Sequence, residues 1–173
     1  ESRLNPIDEL SDSDARGKSF SLVTDIGATK AGLTQTGTLR AKTVTIESIA
    51  TAVDLTTNPA LSFNGTITDR TGTVTDTPDT GSDVATTKLT LRTTEGGILQ
   101  DTTTGTIVST ELTGRAGNDV SLESRLNRIE RLVGVSLADG RFRLHTATAL
   151  AITGPISARL LGITATGRLS VAD

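Results

Sequence analysis

Residues 123–132 read ESRLNRIERL, and together with their neighbours they carry a short apolar seam. The seam residues are spaced by 4, 3 and 4 positions, and they are Leu122, Leu126, Ile129 and Val133. This spacing is typical of a heptad repeat, in which one apolar stripe faces a partner helix. Gly134 follows as a stop signal, so the pattern predicts a helix over 119–134.

The charged residues of this segment suggest how many helices pack together. Arg125 falls at heptad position g and Glu130 at position e, where an arginine can reach the glutamate of a neighbouring helix. A leucine at position a followed by an isoleucine at position d favours coiled coils of three or four helices. We therefore expect a parallel three-stranded coiled coil, although an amphipathic helix packed on the chain's own sheet would fit the same pattern. The predicted trimer interface is Leu122, Arg125, Leu126, Ile129, Glu130 and Val133.

A second copy of the segment opens the chain. Residues 1–10 read ESRLNPIDEL and match residues 123–132 at seven of ten positions. Pro6 is compatible only with the end of a helix or with its first position. This copy is thus predicted to be the weaker coiled-coil segment, with interface residues Arg3, Leu4, Ile7 and Asp8.

The composition excludes several classes of protein. The chain has 173 residues and a net charge of −3, without the basic stripe of a nucleic-acid-binding domain. It has no Cys, Trp or Tyr and only three Phe, which excludes disulfide frameworks and aromatic stacking platforms. No apolar run approaches the roughly 18 residues of a membrane span. Because aromatic side chains normally dominate core burial, we expect a core that several chains share.

The rest of the chain reads as short strands and turns. It is rich in Thr, with 33 in all, and Gly follows Thr or Asn at many of the turns. Asn64-Gly65, Gly96-Gly97 and Asp139-Gly140 each lie between apolar segments and predict two-residue hairpins. The predicted organisation is a helical segment over 1–14, a β segment over 15–118, the coiled coil over 119–134 and a second β segment over 135–173 that continues further.

This arrangement resembles the fibrous proteins of tailed bacteriophages, such as tail fibres, baseplate fibres and fibritin-like collar fibres. The resemblance implies a mainly β fold with short coiled-coil helices, built as an elongated, intertwined homotrimeric fibre. It implies a structural stalk or connector in the virion, outside the cell, in contact with other tail or collar proteins and with a host surface. Two alternatives stay open: the stalk of a bacterial trimeric adhesin, and a receptor-binding tailspike.

No set of residues predicts catalysis or a cofactor. His145 is the only histidine, so a nucleophile–base pair would have to include it. In a parallel trimer three copies of His145 could meet on the axis and bind an ion. The acidic clusters Asp12/Asp14 and Asp76/Asp79/Asp83 offer oxygen ligands but lack the spacing of a calcium loop. We expect neither an enzyme nor a bound metal or cofactor, and no nucleic-acid or membrane partner.

Overall fold

The computed structural model describes residues 9–25, 32–49, 61–70 and 83–172. These residues form seventeen β-strands and no helix. The strands are β1 (Glu9–Leu10), β2 (Ser13–Asp25), β3 (Leu33–Gln35), β4 (Thr38–Ile49), β5 (Leu61–Phe63), β6 (Thr66–Arg70), β7 (Asp83–Val84), β8 (Thr86–Thr93), β9 (Ile98–Gln100), β10 (Thr106–Ala116), β11 (Val120–Leu122), β12 (Arg128–Leu137), β13 (Arg141–Thr146), β14 (Leu150–Ile152), β15 (Ile156–Ser157), β16 (Leu160–Ala165) and β17 (Leu169–Val171).

The strands wind into a parallel β-solenoid of seven coils. Coil 1 contains β1 and β2, coil 2 β3 and β4, coil 3 β5 to β8, coil 4 β9 and β10, coil 5 β11 and β12, coil 6 β13 to β15, and coil 7 β16 and β17. Sheet 1 has the order β1-β3-β5-β9-β11-β13-β16, and sheet 2 contains the remaining strands. Paired strands lie about 4.8 Å apart, so the seven coils extend about 30 Å along the solenoid axis.

The inward-facing side chains stack in columns, with one residue from each coil. In the two columns below, each contributing coil adds one aliphatic or Phe side chain, so the core lengthens with the stack and needs few large aromatic residues. One column of sheet 1 is Leu33, Leu61, Ile98, Val120, Phe142 and Leu161. One column of sheet 2 is Phe20, Val44, Leu89, Leu112, Leu132, Ile152 and Val171.

These columns correct the predicted fold class. The β-rich part of the expectation is confirmed, but the coiled-coil helices and the intertwined trimeric fibre are wrong. A single chain closes the core by itself, and Phe63 and Phe142 are each only 1% exposed within it. We inferred a shared core from the scarcity of aromatic residues because a thick globular interior needs large side chains. The interior of a solenoid is thin, so aliphatic side chains are large enough to fill it.

The segment predicted as a coiled coil crosses coil 5 instead. Leu122 ends β11 and Ile129 lies in β12, both facing the solenoid core with exposures of 1% and 0%. Between them the chain turns, and Leu126 is 53% exposed on that turn. The 4-3-4 spacing therefore does not correspond to one face of a helix.

The side chain of Asn127 explains why this segment turns. Its Oδ1 accepts a hydrogen bond from the main-chain N–H of Ile107 at 2.9 Å, and its Nδ2 donates to the carbonyl oxygens of Leu122 and His145, both at 3.2 Å. Asn127 thus satisfies main-chain groups of coils 4, 5 and 6 from a fully buried position. In the predicted helix Asn127 would lie at position b and face solvent, and it could not reach these main-chain groups of the neighbouring coils.

The three predicted hairpin turns are corners of the solenoid. Asn64 and Gly65 join β5 to β6, which belong to different sheets and do not pair with each other. A Cβ at position 65 would overlap the carbonyl oxygen of Gly37 in the coil below, so this corner requires glycine. The same turn residues serve hairpins and corners, and only the pairing partners distinguish the two.

Candidate functional site

A groove on the outer face of sheet 1 gathers two guanidinium groups, an imidazole and a carboxylate. It spans coils 5 to 7 and has a volume of about 330 Å³. The alternation of β13 aims Phe142 and Leu144 into the core, while Arg143 and His145 face outward. The residues that line the groove are Glu123, Arg125, Arg143, Leu144, His145, Gly162 and Thr164.

Glu123 fixes one wall of this groove through a hydrogen bond and an ion pair. The Oε2 atom of Glu123 accepts a hydrogen bond from the Ser121 hydroxyl at 2.7 Å and lies 3.7 Å from Nη1 of Arg143. Arg125 has no ion-pair partner among the described residues. Among the described residues, the groove therefore contains one partly neutralised guanidinium, one guanidinium without an ion-pair partner and one imidazole beside a single carboxylate.

Gly162 lies at the floor of the groove and leaves space there because it has no side chain. It pairs with Arg143 in the adjacent coil, and a Cβ at this position would lie 3.7 Å from Cγ of Arg143, in ordinary contact. The neighbouring floor residue, Thr164, pairs with His145 and presents a hydroxyl. An anionic group that enters here would meet guanidinium donors, which match carboxylate and phosphate oxygens in geometry.

The predicted trimer-interface residues divide between the core and two separate surfaces. Arg125 lines the groove on sheet 1, whereas Glu130 lies on the outer side of sheet 2, in a depression with Arg168 and several small residues. Val133 is half-buried in β12. The structure does not bring Arg125 and Glu130 together within one chain. The second predicted set, Arg3, Leu4, Ile7 and Asp8, lies outside the described residues.

Both aspartates of the first acidic cluster, Asp12 and Asp14, have structural partners. Oδ1 of Asp12 accepts a hydrogen bond from the N–H of Thr38 at 2.6 Å. Asp14 is paired with Arg16, and the hydrogen bonds donated by that guanidinium lower the pKa of Asp14 below its usual value. In the second cluster, Asp76 and Asp79 lie outside the described residues.

Sequence analysis missed Glu123 and Arg143 as groove residues. The segment Arg141–Thr146 alternates polar and apolar side chains, a signal that could have placed Arg143 and His145 on one outer face. No sequence signal indicates that Glu123 or Arg125 would lie beside them, since that contact depends on how coils 5 and 6 stack.

Comparison with protein-family models, with curated proteins and with solved structures gave no match. The described parts of the chain contain no helix with the length and hydrophobicity that a membrane crossing requires. Across those same ranges, no group of three or more His, Cys, Asp or Glu side chains is arranged to hold a metal ion.

Proposed function

We propose that this chain is a structural segment of a phage fibre that acts as a stalk or connector in the tail, baseplate or collar. The observation that supports the proposal is the uninterrupted stack of seven coils, which extends the chain along one axis with a core of its own. Each junction between coils contains several main-chain hydrogen bonds, and these share the load when the stack is bent or stretched. Repetition of one structural unit is a general way to build such an extended element.

The proposal includes assembly with other virion proteins and a homotrimer. Since each chain closes its own core, the three copies would stand side by side as complete solenoids. Contacts between them would then involve outward-facing side chains, whereas the inward columns would stay within each chain.

Immunogold electron microscopy tests the structural role. Antibodies raised against the purified chain should label the tail, baseplate or collar of particles of the phage that encodes it. Label absent from intact particles but present in the infected-cell lysate would contradict the proposal.

A second candidate function is host-receptor binding by a tailspike. The solenoid itself favours it, because a long β-helix is one of the usual signs of tailspikes, and the groove lined by Arg125, Arg143 and His145 offers donors for an acidic sugar. Titration calorimetry with a uronic-acid polymer and with a neutral glucan tests this function. Binding of the acidic polymer alone, lost in Arg143→Gln, would support receptor recognition, whereas equal heats for both polymers would contradict it.

A further inference from the structure

A second groove lies on the outer face of sheet 2, between β4 of coil 2 and β8 of coil 3. Its volume is about 380 Å³. The polar side chains that line it are Thr43, Thr45, Lys88, Thr90 and Arg92. Coil 1 pairs with one side of it through β2, and coil 4 pairs with the other side through β10. Both walls of this groove are therefore covered by neighbouring coils.

Two positive charges in this groove lack a contacting carboxylate. Lys88 and Arg92 lie on the same face of β8, and neither forms an ion pair within the described part of the chain. Glu111, the neighbour of Lys88 in coil 4, is bound by Arg131 at 2.9 Å. Glu47 pairs with Arg92 in register and is the one uncompensated carboxylate beside the groove among the described residues. The groove thus has an excess of positive charge, although the chain as a whole has a net charge of −3.

A third cation adds to this excess. Arg115 lies directly beside Arg92 on the adjacent strand, and it also lacks an ion-pair partner among the residues that the structure describes. Neighbouring strands are about 4.8 Å apart, and like charges directly opposite each other on a sheet are destabilising. An anion bound beside these two arginines would offset their repulsion.

Hydroxyl groups form the floor of the groove between the two cations of β8. Thr90 faces outward between two core leucines of the strand, and it pairs with Thr45 of β4. Thr90 is only 7% exposed, and its hydroxyl makes no hydrogen bond within the described ranges. The hydroxyl of Thr43, by contrast, already donates to the hydroxyl of Ser19 at 2.7 Å. A nearly buried hydroxyl without a partner is unfavourable, so the Thr90 hydroxyl is available to donate to a ligand.

We propose that this groove binds a phosphate or sulfate group. A phosphate group carries about −1.5 to −2 charges at pH 7, which matches the two cations, and its tetrahedral oxygens can accept from donors that do not share a plane. Lys88 and Arg92 are about 13 Å apart along the strand, and their long side chains can reach a ligand above Thr90. Guanidinium and ammonium groups both bind phosphate through charge-assisted hydrogen bonds. The presence of this site would not depend on whether the chain is part of a fibre.

Nuclear magnetic resonance titration of the isotope-labelled chain tests the site. Inorganic phosphate and inorganic sulfate are the probes, added at constant ionic strength because salt screens exposed charges. We expect saturable shifts of the main-chain amide signals of β4 and β8. Shifts that do not saturate, or that are spread evenly over the molecule, would overturn the proposed site.

Arg92→Gln and Arg128→Gln are a matched pair of variants. Both residues are exposed arginines of sheet 2 without an ion-pair partner among the described residues, but only Arg92 lines the groove. We expect Arg92→Gln to weaken phosphate binding by about tenfold or more, the effect of losing one charged hydrogen bond, and Arg128→Gln to leave it unchanged. Equal affinities of the two variants would refute the location, as would loss of binding in Arg143→Gln, which lies in the groove of sheet 1. Lys88→Gln is a second variant in case Arg92→Gln does not fold.

Thr90→Val separates a binding role of the hydroxyl from a structural one. Valine keeps the branched shape and the strand preference of threonine but has no hydroxyl. We expect this variant to bind phosphate about tenfold more weakly. Its melting temperature without phosphate should stay unchanged or rise, because the lost hydroxyl has no partner within the described chain. An unchanged phosphate affinity would overturn the assignment of Thr90 to the site.

Glycerol phosphate distinguishes the two sources of such a group. Binding at least as tight as that of inorganic phosphate, with the same dependence on Arg92, would indicate an ester group on a larger molecule. Binding of the inorganic ions alone would indicate the free ion, and either result supports the site. Glycerate, a carboxylate of similar size, is the control and should bind more weakly. Equal affinity for glycerate and glycerol phosphate would overturn the assignment to a tetrahedral oxyanion.

Discussion

Gln100 and Asn127 form a reciprocal pair of side-chain hydrogen bonds inside the solenoid. Nε2 of Gln100 donates to Oδ1 of Asn127 at 2.8 Å, and Nδ2 of Asn127 donates to Oε1 of Gln100 at 2.8 Å. The two residues are 2% and 0% exposed. Because a buried amide without a partner is strongly unfavourable, this pair specifies how coil 5 sits on coil 4.

We predict that Asn127→Ala destabilises the protein by about 2–4 kcal/mol. The substitution leaves the Nε2 donor of Gln100 and the N–H of Ile107 buried without the acceptor that both share, and each such group costs about 1–3 kcal/mol. Urea denaturation followed by circular dichroism measures the change. Asn64→Ala, at an exposed corner, is the control and should shift stability by less than about 0.5 kcal/mol. Similar losses in both variants would contradict the role of Asn127.

Two residues of the predicted heptad, Leu126 and Ile129, should contribute very different amounts to the free energy of unfolding. Ile129→Ala removes a fully buried side chain and should cost about 2–5 kcal/mol, whereas Leu126→Ala, at a position that is 53% exposed, should cost less than about 0.5 kcal/mol. In a coiled coil both would lie in the seam and both would be costly. Thermal melts of the two variants therefore distinguish the solenoid from the helix, and a large loss in Leu126→Ala would argue for the helix.

The ionisation of Asp119 should make the free energy of unfolding depend on pH. The side chain of Arg141 donates hydrogen bonds to Oδ2 of Asp119 at 2.9 and 2.7 Å, and these hold the pKa of Asp119 below its usual value near 3.8. A carboxyl group whose pKa is lower in the folded than in the unfolded protein stabilises the fold at pH values above its unfolded-state pKa. That stabilisation is lost as the pH falls through its folded-state pKa. Asp119→Asn should thus be less stable than the unmodified protein at pH 7, with the difference shrinking below about pH 3.8.

Denaturant titrations at a series of pH values measure this effect. Asp139→Asn is the matched control, because the Asp139 side chain is 79% exposed and lies 3.7 Å from its partner Arg159. We expect little change in that variant at any pH. A stability difference for Asp119→Asn that stays constant from pH 7 to pH 2 would exclude the proposed linkage.

Gly154 should not tolerate a side chain. A Cβ at this position would overlap the carbonyl oxygen of Val133 in the adjacent coil, and main chain cannot easily move away. We expect Gly154→Ala to lose about 1–3 kcal/mol, the usual cost of overpacking. In Gly114→Ala the nearest atom would be Cγ2 of Val135 at 3.7 Å, so this control should stay within about 1 kcal/mol of the unmodified protein. Calorimetric melting temperatures compare the two, and equal shifts would mean that coils 5 and 6 are less closely packed at Gly154.

Part of the architecture could be anticipated from local chemistry. The alternation around Phe142 and Leu144 predicts a strand, and the structure has β13 there. Glycines at corners were expected at turns, and Gly65 and Gly140 lie at such corners. The β-rich character follows from these features because strand alternation and turn residues act over only a few positions.

The error over 119–134 shows where local chemistry is insufficient. Leu122 and Ile129 are apolar and buried, as a coiled coil would also require, but they belong to two strands on either side of a turn. The turn exists because Asn127 bonds to groups in coils 4 and 6, which are distant in sequence. A pattern within sixteen residues contains no information about those partners.

By itself, the sequence determined that the chain is rich in strands and turns and that its apolar residues are small. The tertiary structure alone decided that the strands pair in parallel between coils, that Asn127 lies in the core, and that Arg125, Arg143 and His145 share one groove. The physical reason is that strand pairing between coils joins residues 19 or more positions apart, as it does Phe142 and Leu161. The free energy of this pairing depends on which coil stacks on which, and this cannot be read from local spacing.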